Sequence, residues 1–367
     1  MRIVQLITQP RGGPVDHAVD VACQLARRGH DSQLIGPDGS FVTRLQEAGV
    51  TWHELAVERK TDVRGARELI GLIGRVRPDV LHCQDMRAGM VGRIAARRHA
   101  VPVVYTVHGV QDGLAHLVAG NAAVAPPRRR DSIYYLSIER LLARLTHARF
   151  VVPAVVIRDY LVEHVRLPSS SIDVVHNGID VEHFHPSDAQ RHDGVIALWL
   201  GLMGKVKRVG VLLTALVDVP EVSLLLAGSG PEHGPLQQLS ADLGVSDRVE
   251  FRGHVAEPAE IFREADLFVL PSAAEALPLS LLQAMSSGLP VIATRVGGIP
   301  EIVRPGTDGL LVPPDDPSAL AGALRELATS PQQRLTMGAN ARERVVTEFS
   351  LESCVDHLLE VYAKTKG

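Results

Sequence analysis

A chain of 367 residues is too long for one ordinary hydrophobic core, so two domains are expected. With 46% hydrophobic and 22% charged residues it is globular rather than disordered. A formal net charge of −4 and an aromatic share of 4% argue against a nucleic-acid binder, which needs basic surface for phosphates and rings for stacking.

Residues 2–8 read as a strand, followed by the turn Arg11-Gly12-Gly13-Pro14. Apolar residues then recur at helical spacing (Val15, Ala18, Val19, Ala22, Leu25, Ala26) until Gly29. Residues 31–35 form the next strand, and Gly36-Pro37-Asp38-Gly39 is loop chemistry. Strands at 79–82, 101–107 and 150–152 follow, each after a helical stretch. This alternation predicts a parallel sheet with helices on both faces, a doubly wound domain. Segment 120–130, GNAAVAPPRRR, has the composition of a mobile loop.

His176-Asn177-Gly178-Ile179-Asp180 is turn-rich, and 186–194 is polar and aperiodic, which places the linker there. The same grammar restarts with strands at 195–200, 222–227, 248–251, 267–270, 290–294 and 309–312. From 317 to 364 the pattern is helical, with breaks near Ser330-Pro331 and Ser350. The expected domains are 1–185 and 186–350, with 351–367 a terminal helix that can pack back on the first. Ligands of such sheets bind outside the carboxyl ends of the strands, so a cleft between two facing domains is the expected place for chemistry.

Cys23, Cys83 and Cys354 are far apart and odd in number, which fits reduced thiols in a cytoplasmic protein. No basic n-region with a long apolar stretch opens the sequence, and no run of 18 apolar residues occurs. His183 and His185 lack a third ligand at usable spacing, so no metal is expected. Arg128, Arg129 and Arg130, with Arg140 and Arg144 beyond, form a basic run that more often marks a solvated face. If it meets the inner face of a membrane instead, anionic vesicles should co-sediment the protein at low salt and release it at raised salt; no binding at low salt removes the idea.

Three glycine-rich turns follow strands and precede helices: Gly12-Gly13, Gly228-Ser229-Gly230 and Gly297-Gly298. Glycine lets backbone approach a ligand, and the next helix offers unpaired N–H groups to an anion. Residues 271–278, PSAAEALP, lead into a short helix at about 279–287, where Pro278 suits the helix start. Amides of Leu279, Ser280 and Leu281 then point out of the positive end of that helix, with Glu275 just ahead of it. Glu275 either stabilises the helix dipole or accepts hydrogen bonds from ligand hydroxyls.

The run PSAAEALPLSLLQAMSSGLPVIATRVGGIPEIV, followed by GTDGLLVPPDDP, resembles the signature of glycosyltransferase family 4, retaining sugar transferases of the GT-B fold. RGGPVDHAVDVACQLARRGH, RPDVLHCQD, VPVVYTVHG, VVHNGID, LLLAGSGPE and RVEFRGHV spread the resemblance over most of the chain. It implies two Rossmann-like domains facing across a cleft, an acceptor domain first and a donor domain second. It implies transfer of a hexosyl unit from a nucleotide-sugar, with UDP as the expected nucleotide, to an unidentified hydroxyl acceptor. Transfer would be by same-face displacement without metal, other cofactor or dedicated catalytic base.

Position by position, Glu275 matches the first glutamate of the family's E-x7-E motif, which contacts the donor sugar. Leu277, Pro278, Leu279 and Ser280 would cradle the sugar and diphosphate, and Lys207 matches the diphosphate-binding lysine. Gly12 and Gly13 match the first-domain loop that approaches the phosphates, and His108 the histidine near the transferred sugar. His254 and Val255 stand where the base should lie. Two positions depart from the pattern: Gln283 stands for the second glutamate, and Leu202 for a partner arginine. A neutral Gln283 is worth about 1 kcal/mol less than a carboxylate toward ribose hydroxyls, near fivefold in affinity. Lys205 and Arg208 are candidates to replace the missing cation. His82 and Asp85, at a strand end, are candidates for the acceptor side, and the loop 111–130 for acceptor specificity. A sugar-nucleotide epimerase of the same fold and a non-catalytic sugar-nucleotide binder are the competing readings, the latter because of Leu202 and Gln283.

Overall fold

A computed structural model describes residues 1–59, 62–126, 129–186 and 194–366. The chain divides into two compact units, one of Met1–Val110, Pro127–Gly178 and Leu351–Gly367, the other of Gln111–Pro126 and Ile179–Ser350.

The first unit holds a seven-stranded sheet of β1 (Arg2–Leu6), β2 (Asp31–Gly36), β3 (Thr51–Glu54), β4 (Val80–Cys83), β5 (Val103–Thr106), β6 (Arg149–Val152) and β7 (Ile172–Val174). Their order is β3-β2-β1-β4-β5-β6-β7 and every pairing is parallel. The inner strands are buried on both faces, which is why they read as continuous apolar runs. One core cluster joins Ile3, Val80 and Val104 to Val355, Leu358 and Tyr362 of the last helix, Leu351–Lys366, so this helix covers the first unit's sheet.

The second unit holds six parallel strands, β8 (Val195–Leu200), β9 (Val222–Ala227), β10 (Val249–Gly253), β11 (Leu267–Leu270), β12 (Val291–Thr294) and β13 (Gly309–Val312). Their order, β10-β9-β8-β11-β12-β13, repeats that of the first six strands of the other sheet. Each sheet therefore reverses its winding once, between β1 and β4 and between β8 and β11. Such switch points leave a crevice at the strands' carboxyl ends.

Two expected boundaries change. The units part at Gly178 rather than at 185, because Ile179 pairs with Ser350 and donates to the Phe349 carbonyl at 2.9 Å, while the Phe184 ring meets Phe262. Residues 111–126, expected in the first domain, belong to the second unit. Much of the 186–194 linker, and Arg128 of the basic run, lie outside the described residues. Arg140 donates to the carbonyls of Val165 and His164, at 2.8 and 3.3 Å, so part of that run serves packing. Among the described residues no helix is long and apolar enough to cross a membrane.

Candidate functional site

In the second unit, the loop leaving β8 carries Lys207 and the loop leaving β11 carries Glu275. The neighbouring of β8 and β11 at the switch point brings these residues together although 68 positions separate them. Lys207 Nζ donates to Glu275 Oε1 at 2.6 Å, and Ser272 Oγ donates to the same oxygen at 2.7 Å. The Ala273 N–H donates to the Val206 carbonyl at 2.8 Å, which ties the two loops by backbone as well. The carboxylate is 9% exposed and the ammonium 22%, so water reaches the pair only partly and their attraction is stronger than at an open surface.

The helix Leu279–Ser286 starts four residues after Glu275, with Pro278 as an N-cap that makes no side-chain hydrogen bond. Its first amides are thus presented at the positive end of the helix next to a lysine, an arrangement suited to an anion. Leu277 and Pro278 are buried, Leu279, Ser280 and Gln283 half-buried. His254 is exposed and Val255 half-buried beyond β10; the turn before them is joined to the Gly228 turn by the Gly228 N–H donating to the Gly253 carbonyl at 2.6 Å. Gly228 has φ +129, and a Cβ there would overlap the Gly201 carbonyl; only glycine lets the turns after β8 and β9 close on each other.

The expected substitutes for a second cation fare differently. Leu202 is 61% exposed and carries no charge. Arg208 is committed elsewhere, its Nε to Asp315 at 2.8 Å and its Nη2 to the Ala123 carbonyl at 3.1 Å. Lys205 is exposed. Of the two, Lys205 is the one with an ammonium open to a ligand.

Gly12, Gly13 and His108 gather in the first unit. Gly12 (φ +114) precedes the helix Gly13–Arg27, and both glycines are exposed. His17, one turn into that helix, packs edge-on against His108 with ring centroids 5.1 Å apart. His108 Nε2 donates to Gln84 Oε1 at 2.8 Å, and Gln84 Nε2 donates to Gln5 Oε1 at 2.7 Å. His108 is thereby held as the tautomer whose Nδ1 is an acceptor. Burial, with His17 and His82 nearby, holds its pKa well below the usual range, so the ring is neutral near pH 7.

His82 and Asp85 do not line a site. His82 is fully buried, its Nδ1 2.7 Å from Tyr362 Oη and its Nε2 2.6 Å from Thr106 Oγ1. Asp85 caps the helix Met86–Arg98 through the N–H groups of Arg87 and Ala88 and accepts from Thr8 N and Oγ1 at 2.6 and 2.7 Å. Both are structural because their polar atoms are already paired inside the unit. Sequence reasoning passed over Ser272, His17 and Gln84. Ser272 lies three residues before Glu275, and His17 one helical turn after Gly13, so spacing alone offered the signal.

Residues 11–183 match the family model for Glycosyltransferase Family 4, and residues 194–330 that for glycosyl transferases group 1. The D-inositol 3-phosphate glycosyltransferase of Mycolicibacterium vanbaalenii is 32% identical over 315 residues, covering 78% of this chain and 67% of that protein. D-inositol 3-phosphate glycosyltransferase 1 of Catenulispora acidiphila is 29% identical over 309 residues, 77% of this chain and 72% of the relative. Among solved structures, Anabaena Alr3699/HepE in complex with UDP and glucose superposes with a TM-score of 0.86 at 20% identity, over 99% of both chains. Sucrose-phosphate synthase from Thermosynechococcus elongatus superposes at 0.84 and 23%, over 99% of this chain and 98% of that one. The chain belongs to glycosyltransferase family 4 and is a glycosyltransferase of the GT-B type.

Proposed function

We propose that the protein transfers a hexosyl unit, with retention of configuration, from a UDP-sugar to a hydroxyl of a small polar acceptor, and that it needs no metal. The observation that carries this reading is the Lys207–Glu275 pair at the second unit's switch point, beside a helix start without a side-chain cap. Cleavage of a sugar–diphosphate bond leaves a nucleoside diphosphate with extra negative charge. Lys207 and the amides of Leu279, Ser280 and Leu281 supply fixed positive charge for it, and Glu275 supplies an acceptor for sugar hydroxyls.

The UDP reading draws on the Anabaena neighbour, solved with UDP and glucose, and the acceptor class on the names of the inositol phosphate relatives. The family resemblance gives His108 the place near the transferred sugar; a neutral ring with Nδ1 as an acceptor is suited to hold a hydroxyl proton in a hydrogen bond without removing it. The acceptor attacks on the face from which the phosphate leaves, so no enzyme nucleophile is needed, and that phosphate helps to deprotonate the acceptor, so no dedicated base is needed. Exposed Leu202 favours a second reading, a sugar-nucleotide binder with little turnover.

The test is release of nucleoside diphosphate from UDP-, GDP- and ADP-linked hexoses, with and without D-inositol 3-phosphate, in EDTA and in Mg²⁺. UDP-glucose turnover that EDTA changes by less than about twofold, giving an α-linked product, is the expected result. Preference for another base overturns the UDP assignment, and activity restored only by Mg²⁺ overturns metal independence. Interconversion of the sugar points to epimerisation, and binding without turnover to the second reading.

A further inference from the structure

Residues 111–126 follow β5 in sequence yet belong to the second unit, where three hydrogen bonds fix residues 121–123. Asn121 Oδ1 accepts the backbone N–H of Glu275 at 3.2 Å. The Ala122 N–H donates to the Ala273 carbonyl at 2.7 Å, and Arg208 Nη2 donates to the Ala123 carbonyl at 3.1 Å. Arg208 is the residue after Lys207, and its guanidinium is held in turn by Asp315 and by the Lys205 carbonyl, at 2.8 and 3.1 Å. This short segment therefore bridges the two loops that carry Lys207 and Glu275. Gly297 completes the junction at φ +48: a Cβ there would overlap the Glu275 carbonyl and press on Asn121 Oδ1. Glycine is needed because the Glu275 backbone and the Asn121 side chain crowd that point, and Gly120, at φ +79, packs beside the Gly297 nitrogen.

We propose that residues 120–123 are a positioning strap for the Lys207–Glu275 pair, with Asn121 as the residue that acts through Glu275. By fixing the Glu275 backbone, Asn121 keeps the carboxylate where Lys207 and Ser272 meet it, and so sets the sugar end of the donor site. The amide suits the place because its oxygen accepts the Glu275 N–H. The inference rests on the donor-site reading above and gives a donor-side role to a loop whose sequence pointed to the acceptor.

The experiment compares wild type, N121A, N121D and E275A in two measurements. Hydrogen exchange reports the Glu275 amide. Turnover is followed on the panel donor that the wild type uses best, together with the Kd of the matching nucleoside diphosphate. Expected for N121A are loss of Glu275 amide protection and a kcat about tenfold lower, with the diphosphate Kd within about twofold. N121D, which keeps an acceptor oxygen, restores the protection and most of the kcat. A strap that only supports folding would lower diphosphate binding and thermal stability together with kcat, and would sink the proposal. So would an N121A variant with wild-type kcat and a still-protected amide. If E275A turns over like wild type, the donor-site reading itself fails; if the wild type is silent on every donor, exchange in N121A against N121D still decides whether Asn121 holds Glu275.

Discussion

Glu275→Ala is expected to lower donor turnover about 10²–10³-fold while shifting Tm by only a few degrees, the range seen when one preorganised electrostatic partner is removed from a reacting centre. Its carboxylate is 9% exposed and takes two hydrogen bonds on one oxygen, from Lys207 Nζ and Ser272 Oγ. Without it the Lys207 ammonium loses its fixed position, and the sugar loses an acceptor. Folding suffers little because Lys207, 22% exposed, can turn to water. Lys207→Ala should be at least as harmful to activity, since it leaves a half-buried carboxylate facing a dianionic leaving group.

Because the two side chains touch, their effects should not add. The double variant is expected to lose less than the sum of the two single losses, with a coupling of about 1–3 kcal/mol. Steady-state kinetics of the four proteins checks this. Near-normal turnover of E275A removes the site assignment, and strict additivity removes the claim that the pair acts as a unit.

What the sequence made legible follows from how these sheets are buried. β8, β9, β11 and β13 are runs of apolar residues with clear bounds, and the expected strands coincide with them. β3 (TWHE) and β7 (IDV) escaped notice because they are edge strands, short and half-open to solvent, so no apolar run marks them. The candidate site was legible in its parts: the helix start and Glu275 from local pattern, Lys207 and His108 through family resemblance. Nothing in local pattern says that Lys207 and Glu275 touch; the strand order does. The attachment of residues 120–123 depends on one asparagine amide and on backbone carbonyls, which carry no periodicity. His82 misled for a similar reason: its partner, Tyr362, is 280 positions away on the last helix.

That buried histidine network is expected to make the first unit acid-labile. Burial pushes His17 down to about 4 and His82 down to about 3, and His108 shifts in the same direction. A folded-state pKa below the ordinary 6.5 means that the unfolded chain binds a proton that the folded unit refuses. Stability is then full above pH 6.5 and is lost as pH falls toward those values. Each unit of pH below 6.5 costs about 1.4 kcal/mol per histidine, so His17 and His82 together remove on the order of 5 kcal/mol by pH 4.5. Asp16, on the same helix as His17, opposes this. Loss of water around the carboxyl and the neighbouring Asp20 push it up to about 6, so it takes up a proton in the folded state as pH falls, but its solvent-facing side keeps the offset below the histidine contribution.

Urea unfolding between pH 6 and 4.5, with hydrogen exchange to follow the first unit separately, should show two to three protons taken up on unfolding. A slope near zero over that window removes the argument. Tyr362→Phe separates the network from burial alone. It removes the 2.7 Å contact of His82 Nδ1 and leaves only the Gln84 amide at 3.3 Å, which should cost about 1–2 kcal/mol at pH 7. Burial and His17, not this bond, hold the His82 pKa down, so the pH slope of the variant should stay close to that of the wild type.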